Sequence, residues 1–469
     1  MRKNLYFLFF ITGLLLTGCS SDDSNEITQP FVVAFENPSA SFTTEEASKT
    51  IKLVFSESAP EDGTVFITYT GENAVYGEDF TTDPVSEEGT LNVAITKGSS
   101  ALSFTINKLQ NPMEGESMSL TFNLESVTIE NSSLQGNTEL AVSFTEAPAT
   151  GGVIAAEVGG ANEPNQVYVD LSSQTQVSAQ RDSWDLGFYT GTNNRVILNG
   201  SIYMATAALD ATDIDAISAA DVSELQPAVA VGTFDATNTA YVDSPDGSLE
   251  GTALAEITAS EDSKVYLLNL GYEVGTETAE AGSVEITGEH RGWKKIRITM
   301  SGSDYILQYA DLDATEHEEI TISKDELTDF TFFSFNTEEI VEVQPEKGKW
   351  DLNFTVFTNE IPGYGSYGYA DFIVNNLQGG VHAYMVSTED LSYEDYTIAD
   401  LDETLFIEDQ RGIGSNWRNG GGPGTLPSLK ENVFFIVKDG DGNVYKLRFT
   451  ALLSESNERG NPSFEYHKL

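Results

Sequence analysis

Short runs of β-branched and aromatic residues, spaced about ten residues apart, limit the fold of this chain more than any other sequence feature. Residues 51–55, 65–69, 102–106 and 120–124 are runs of this kind, and Gly, Asp, Asn and Pro fill the gaps between them. Such spacing is typical of sandwiches and barrels, whereas βαβ units would need long helical segments between strands. The sequence therefore predicts an all-β fold, with one helical patch at residues 213–225.

The N-terminus carries an export signal. Arg2 and Lys3 precede an almost wholly apolar run at residues 5–16, and the sequence Leu-Thr-Gly-Cys ends at Cys19. This order is typical of a secretory signal peptide, and the run is too short to span a bilayer, which takes about 20 residues. Leu-Thr-Gly-Cys resembles a bacterial lipobox. The resemblance implies that residues 1–18 are removed and that an acylated Cys19 heads a tether, residues 19–29.

The tether begins with the polar, acidic residues 20–23. This start resembles the surface-export signal of Bacteroidetes lipoproteins. Several acyl chains on one cysteine are enough for stable membrane anchoring. We therefore expect a protein that is lipid-anchored to the outer membrane and exposed on the cell surface.

The chain is strongly acidic, with 24 Lys and Arg against 74 Asp and Glu and a formal net charge of −50. Nucleic acids are bound by clusters of cationic residues, so the composition excludes them as partners. Cys19 is the only cysteine, so disulfide bonds cannot stabilise the fold and thiolates cannot build a metal site. Stability must come from hydrophobic cores within several domains.

The first block, residues 30–147, carries short motifs in a fixed order. They are a Gly-Glu-Asp-Phe sequence within residues 74–80, a Gly-Thr strand at 89–93, a glycine turn at 97–99 and a strand at 102–106. This order resembles the Calx-beta family, whose members are immunoglobulin-like β-sandwiches. The resemblance implies a Calx-beta-like sandwich for this block.

Calx-beta domains often bind calcium through clustered carboxylates on their end loops. Calcium needs six to eight oxygen ligands, several of them charged. The residues available here are Asp79, Glu114 and Glu116, without the usual neighbouring aspartates. Calcium is therefore a possible ligand, and a spacer role for the block stays open as the alternative.

Two later blocks repeat each other. The sequence Trp-Asp-Leu occurs at Trp184 and again at Trp350, and a Thr-Asn pair follows each at the same spacing. Strand-like segments lie upstream and downstream of each Trp in the same order, about 165 residues apart. This pattern predicts a duplicated domain, with a first copy at residues 151–312 and a second copy at residues 313–469.

The second copy contains Thr-Phe-Phe-Ser-Phe at residues 331–335, Lys-Trp-Asp-Leu at 349–352 and a strand, turn and strand at 432–449. This combination resembles the HmuY family of haem-binding bacterial lipoproteins. The first copy resembles it more weakly. The resemblance implies two HmuY-like β domains with a ligand cleft between hairpins, which in the family takes haem for iron or porphyrin acquisition.

Haem iron needs an axial imidazole, thioether, thiolate or phenolate. The family's first donor lies five residues after the Trp, where this chain has Tyr189 and Thr355. The hairpin after each Trp offers Met204 in the first copy, and His382 and Met385 in the second. His382 and Met385 would face opposite sides of a strand, so only one would enter a given pocket. A methionine in an apolar run is also a common core residue.

Two glycine-rich loops add aromatic residues. The first, residues 363–369, places Tyr364, Tyr367 and Tyr369 between glycines. The second, residues 411–424, contains Trp417 with Arg411 and Arg418, which could meet a planar ligand and its carboxylates. Aromatic rings separated by glycines suit a small planar ligand that is held by stacking. A mobile or adhesive surface loop and a plain connector stay open as alternatives.

Together these features predict a surface lipoprotein that binds haem or a related tetrapyrrole, with a TonB-dependent receptor as a possible partner. The alternative is an adhesion or glycan-binding lipoprotein that keeps the fold and has lost the haem ligands. An enzyme is not expected, because the chain has no Gly-x-Ser-x-Gly or His-Glu-x-x-His motif and only four histidines.

Overall fold

The computed structural model describes residues 30–259, 262–421 and 425–469. These residues form two compact units: an N-terminal unit, residues 30–112 and 117–145, and a C-terminal unit, residues 113–116 and 146–469. Strands dominate both units, which confirms the predicted all-β fold. The predicted cleavage site and Cys19 lie outside the described residues. Among the residues described, no helix is long and apolar enough to cross a membrane.

Ten strands build the N-terminal unit as a two-sheet sandwich, with sheet orders β5-β7-β3-β1-β9 and β2-β10-β8-β4-β6. Buried and exposed side chains alternate along its strands, as in β1, because one face of each sheet turns inward. This confirms the β-sandwich predicted for the first block. The strands are β1 (Phe31–Phe35), β2 (Ser39–Phe42), β3 (Ser48–Phe55), β4 (Gly63–Glu72), β5 (Phe80–Asp83), β6 (Thr90–Ile95), β7 (Ala101–Lys108), β8 (Ser119–Val127), β9 (Ser132–Leu134) and β10 (Glu139–Phe144).

Twenty strands build the C-terminal unit. In the first copy they are β11 (Gly151–Ala155), β12 (Asn165–Val169), β13 (Gln176–Gln180), β14 (Leu186–Tyr189), β15 (Val196–Leu198), β16 (Ala205–Ala208), β17 (Val265–Asn269), β18 (Trp293–Ser301) and β19 (Asp304–Asp311). In the second copy they are β20 (Glu318–Ile322), β21 (Phe330–Ser334), β22 (Glu339–Val341), β23 (Leu352–Ile361), β24 (Gly365–Asn375), β25 (His382–Ser387), β26 (Arg418–Asn419), β27 (Ser428–Leu429), β28 (Val433–Lys438), β29 (Val444–Ala451) and β30 (Ser463–Lys468).

Helices are few and short. The predicted helical patch contains one α-helix, α1 (Ala219–Val222), which begins where the Asp221 carboxylate accepts the Ser218 backbone N–H at 2.9 Å. Such a contact is typical of a helix N-terminus. The 3₁₀-helices of the described residues are Gly200–Ile202, Ala236–Tyr241, Leu249–Gly251, Ile398–Asp400 and Glu403–Leu405.

The two copies exchange their first strands. In the sheet β13-β12-β23-β24, the hairpin β12–β13 of the first copy pairs with the Trp-Asp-Leu strand β23 of the second copy. In the corresponding sheet β22-β21-β14-β15, the hairpin β21–β22 of the second copy pairs with the Trp-Asp-Leu strand β14 of the first copy. Likewise, β16-β17-β18-β19-β20 corresponds to β25-β28-β29-β30-β11, and in each of these sheets the last strand comes from the other copy. The duplication is therefore visible strand by strand, but the copies share the four larger sheets and one compact unit.

The physical reason for this exchange is burial. Side chains on both faces of β12 and β21 are buried, so a free edge would leave backbone N–H and C=O groups unpaired away from water, and each strand needs a hydrogen-bonded strand along both of its edges. The strand from the other copy supplies one of these neighbours. The predicted boundary at residue 312 consequently falls between β19 and β20, two paired strands of one sheet, and does not separate two compact domains.

The repeated Trp-Asp sequence holds the exchanged strands in place. The Trp350 ring packs against Tyr168 of β12 (5.0 Å between centroids), and the Trp184 ring packs against Phe332 of β21 (4.7 Å). The aspartate after each Trp accepts the backbone N–H three residues beyond that aromatic residue. Both halves of the motif therefore bind the strand of the opposite copy, which explains why the motif is repeated.

Candidate functional site

The predicted haem-iron donors lie in separate surroundings. Met204 is buried in a core cluster with Leu198 and Leu268. The Tyr189 ring packs against Phe330 at 5.5 Å. Burial and the charge of Asp329 raise the pKa of the Tyr189 phenol, so that it stays neutral and is a poor iron ligand.

The two donors of β25 face different neighbours, as expected for residues three apart on a strand. His382 Nδ1 lies 3.3 Å from the carbonyl oxygen of Ile407, to which it can donate. Met385 is 46% exposed and lines a shallow groove beside Leu429. Met204, Tyr189, His382 and Met385 therefore each have different neighbours, and the described contacts do not bring the four residues together in one site.

A different set of residues forms a cleft of about 410 Å³ in the C-terminal unit. We call it the tyrosine–arginine cleft. Three tyrosines and two arginines line it, together with small and aliphatic residues. The lining residues are Tyr203, Val231, Gly232, Val284, Ile286, Tyr367, Gly368, Tyr369, Ala370, Arg418, Gly420 and Arg459.

The predicted Gly/Tyr loop supplies part of this cleft. It spans the turn of the β23–β24 hairpin and the start of β24. Tyr367 and Tyr369 line the cleft, with their rings edge to face at 5.8 Å, and Phe234 lies 5.8 Å from Tyr367 on its other side. Tyr367 is 39% exposed and Tyr364, at the turn, is 59% exposed. The loop thus presents accessible aromatic rings at the edge of the cleft.

Tyr203 forms the floor beside the loop. It follows the 3₁₀-helix Gly200–Ile202 and has a left-handed backbone (φ 65°). Its ring lies so close to Gly368 that a Cβ at that position would overlap it. Burial raises the pKa of the Tyr203 phenol, which keeps it uncharged. Gly368 is therefore needed for this close approach of strand and ring.

The two arginines of the cleft converge on one carboxylate. Arg459 donates from Nε to Asp371 Oδ2 at 2.9 Å and also from Nη2, and Arg418 Nε lies 3.4 Å from the same oxygen. The Trp417 indole N–H donates to the Asp371 carbonyl at 3.2 Å, and its ring stacks on Phe449. Trp417, predicted to be a ligand-loop residue, is thus a buried core residue that supports Asp371 from behind the cleft.

A second buried carboxyl lies next to this group. Glu163 accepts the Asp371 backbone N–H at 3.0 and 3.1 Å, and Arg181 donates to the Glu163 carbonyl at 2.7 Å. Burial and the charge of Asp371 raise the pKa of Glu163 to about 8. Near neutral pH, Arg418 and Arg459 therefore face mainly the single charge of Asp371. The cleft has a locally positive wall in a chain of net charge −50.

The predicted calcium ligands have other partners. Asp79 accepts the Val75 N–H at 2.6 Å and a hydrogen bond from the Gln110 side chain. Glu114, which belongs to the C-terminal unit, lies 3.1 Å from Lys349 Nζ. Glu116 donates its backbone N–H to the Met113 carbonyl. Within the described ranges, no group of three or more His, Cys, Asp or Glu residues could hold a metal ion.

Comparison with known families agrees with this architecture. The family described as HmuY protein matches residues 162–466, which is more than half of the 469-residue chain. The chain belongs to the HmuY family. The single HmuY match begins in the first copy and ends in the second, in agreement with the strands that the copies share. HmuY proteins form a family of binding proteins.

No curated protein matches the chain. Similar solved structures include the apo-form Calx CBD1 domain (16% identity, 25% of this chain and 97% of that chain, TM-score 0.21). The Calx CBD2 domain has 12% identity, over 24% of this chain and 86% of that chain, with a TM-score of 0.21. A putative carbohydrate binding protein from Bacteroides ovatus has 11% identity, over 73% of this chain and 97% of that chain, with a TM-score of 0.22.

Of the charged residues at the cleft, the sequence indicated only Arg418, in the second glycine-rich loop. Tyr203 lies next to the predicted donor Met204 but was not itself predicted to line a site, and Arg459, Arg181 and Glu163 lie far from any motif. One signal was available for the arginines. Cationic residues are scarce in this chain, with 24 against 74 acidic residues, so each arginine within a strand or loop of the second copy is a candidate for a specific partner.

Proposed function

We propose that this HmuY-family protein captures haem or a related tetrapyrrole in the tyrosine–arginine cleft and holds it for uptake by the cell. The observation that carries this proposal is the meeting of exposed tyrosine rings and buried arginines in one cleft of about 410 Å³. Membership of the HmuY family supports the ligand class.

Each part of the cleft suits one part of such a ligand. The rings of Tyr367 and Tyr369 offer flat surfaces for stacking against a porphyrin. Arginine is the side chain that best pairs with carboxylates, because its planar fork donates two parallel hydrogen bonds. Arg418 and Arg459 would therefore attract the propionates, and a tyrosine oxygen can serve as an iron ligand.

The cellular setting belongs to the same proposal. Cleavage before Cys19 and acylation of its thiol would tether the β-rich body to the outer membrane, exposed on the surface. A ligand captured there must cross that membrane, so a TonB-dependent receptor is the partner we propose for the hand-off. The N-terminal sandwich would act as a spacer between the anchor and the binding unit.

Titration of residues 20–469 with haemin, followed by absorption spectroscopy, tests the proposal. We expect a saturable, sharpened Soret band. Replacement of both Tyr367 and Tyr369 by Ala should abolish it, whereas replacement of both by Phe should keep the stacked rings, retain binding and change the spectrum if either hydroxyl ligates iron.

Three single variants serve as matched controls: Met204→Ala, His382→Ala and Met385→Ala, which remove the donors predicted from sequence. The proposal expects each of them to keep the band. If one of them abolishes it while the tyrosine variants do not, haem is the ligand but the cleft is the wrong site. If the spectra of protein and haemin simply add, the proposed ligand class is wrong.

A further inference from the structure

A second cavity lies inside the C-terminal unit, between the two repeated tryptophans. Its volume is about 190 Å³, and we call it the tryptophan cavity. Trp184 and Trp350 line it together with Tyr168, Phe330 and Phe332. An apolar cavity of about 150 Å³ holds benzene, so this space has room for one six-membered ring with substituents.

The copies differ at one hydrogen bond beside this cavity. The Trp184 indole N–H donates to Gln166 Oε1 at 2.8 Å, and Gln166 Nε2 donates to Thr355 at 3.2 Å. Gln166 lies two residues before Tyr168, and the corresponding position of the second copy is occupied by Phe330. A phenyl ring cannot accept the indole proton in the same way, so the repeat leaves Trp350 without the partner that Trp184 has.

Three buried polar atoms of the lining have no hydrogen-bond partner among the described residues. They are Trp350 Nε1, a donor, and two acceptors, Asn353 Oδ1 and Asp329 Oδ2. Their residues are 9%, 6% and 6% exposed. A buried polar group without a partner is costly, and such groups in native proteins often mark a place where a ligand or water supplies the missing bond.

The lining also restricts the charge of an occupant. None of its residues is Lys, Arg or His, so a carboxylate or phosphate would find no cation there. A hydroxyl group can both accept from an indole N–H and donate to an amide oxygen. A pyranose sugar carries several hydroxyls at its edge and has C–H faces that pack well on aromatic rings. Its size also agrees with the cavity.

From these observations we infer that the tryptophan cavity binds an uncharged pyranose ring, with Trp350 and Asn353 as its hydrogen-bond partners. This site is separate in lining residues and in ligand charge from the tyrosine–arginine cleft. The inference therefore does not depend on haem binding.

Isothermal titration of the full mature chain with methyl glycosides of glucose, galactose, mannose and N-acetylglucosamine tests the inference. We expect saturable binding of at least one of them. Trp350→Phe keeps an aromatic ring in the wall but removes the N–H together with the five-membered ring of the indole, so the affinity for that glycoside should fall at least about tenfold. Asn353→Leu should weaken binding similarly, and Tyr367→Ala, in the other cleft, should leave it unchanged.

Thermal melting provides a readout that separates ligand binding from folding. Trp350→Phe and Trp184→Phe remove the same ring atoms from a buried site, but only Trp184→Phe also breaks a bond within the protein, the one to Gln166, so it should lower the melting temperature more. The inference is overturned if none of the four glycosides binds, or if Trp350→Phe and Asn353→Leu both bind the glycoside as tightly as the unaltered chain.

Discussion

The Asp185 carboxylate accepts hydrogen bonds from both terminal nitrogens of Arg291, at 2.6 and 3.2 Å, and both side chains are buried. Its counterpart in the second copy, Asp351, accepts the Leu171 backbone N–H at 2.8 Å instead. In the described part of the chain, no Lys, Arg or His forms an ion pair with Asp351. The same motif position therefore holds one paired and one unpaired buried carboxyl, and they should respond to mutation in opposite ways.

Asp185→Asn should destabilise the C-terminal unit. The asparagine can still accept the Phe335 N–H, but it leaves the Arg291 guanidinium buried without its counter-charge, which costs about 3 kcal/mol. Urea denaturation at neutral pH measures the loss. Unchanged stability would show that Arg291 finds another partner or reaches solvent.

The Asp351→Asn variant should gain stability relative to the unaltered chain as the pH rises. Burial raises the pKa of Asp351 to about 8, so its stabilising contribution is complete below the unfolded pKa, near 4, and is lost as the pH rises through about 8. The asparagine takes up no proton on folding. Relative to the unaltered chain, the variant should therefore gain about 1.4 kcal/mol per pH unit across this window.

Melting temperatures of the two chains, recorded from acidic to alkaline pH, provide the comparison. Glu163, whose raised pKa spans the same range, contributes equally to both chains and cancels in the difference. A difference that is flat with pH would contradict the assignment of a buried, neutral carboxyl to Asp351.

Gly368→Ala should damage the tyrosine–arginine cleft. Its Cβ would overlap the Tyr203 ring, and overpacking of this kind costs about 2 kcal/mol. We expect a lower melting temperature and weaker haemin binding. Gly200→Ala is the matched control, because a Cβ there meets Thr358 at an ordinary distance of 3.5 Å. Equal behaviour of the two variants would argue against the close approach of Gly368 and Tyr203.

Calcium should leave the melting of the N-terminal sandwich unchanged. A ligand that binds only the folded state raises its stability in proportion to the logarithm of ligand concentration. Asp79 is already engaged by Val75 and Gln110, and it lacks the neighbouring carboxylates that calcium requires. Calorimetry with millimolar calcium, and with magnesium as the control, measures this. A calcium-specific rise that Asp79→Asn removes would restore the calcium site.

The strands and the duplication could be predicted because both leave local marks in the sequence. Alternating burial appears as a period of two, and the repeated Trp-Asp-Leu sequence fixed the correspondence of the copies. The exchange of β12 and β21 could not be predicted. A buried strand has the same composition whichever copy pairs with it, because the choice of partner depends on the path of the chain and not on local sequence.

The site was predicted only in part, for a related reason. Tyr367 and Tyr369 stood out because glycines flank them, and the structure places both in the cleft. Met204 and Trp417 also looked like ligand-binding residues in the sequence, but both are buried in hydrophobic core clusters. Arg418 of β26 and Arg459 of a later loop meet at Asp371, and their separation in sequence hides such convergence.

The position of iron in crystals of the haemin complex tests the central claim most directly. Anomalous diffraction at the iron edge locates the metal without reference to the protein atoms. The account predicts a single peak in the tyrosine–arginine cleft, within ligation distance of the Tyr367 or Tyr369 hydroxyl oxygen. A peak beside Met204, His382 or Met385 would contradict it.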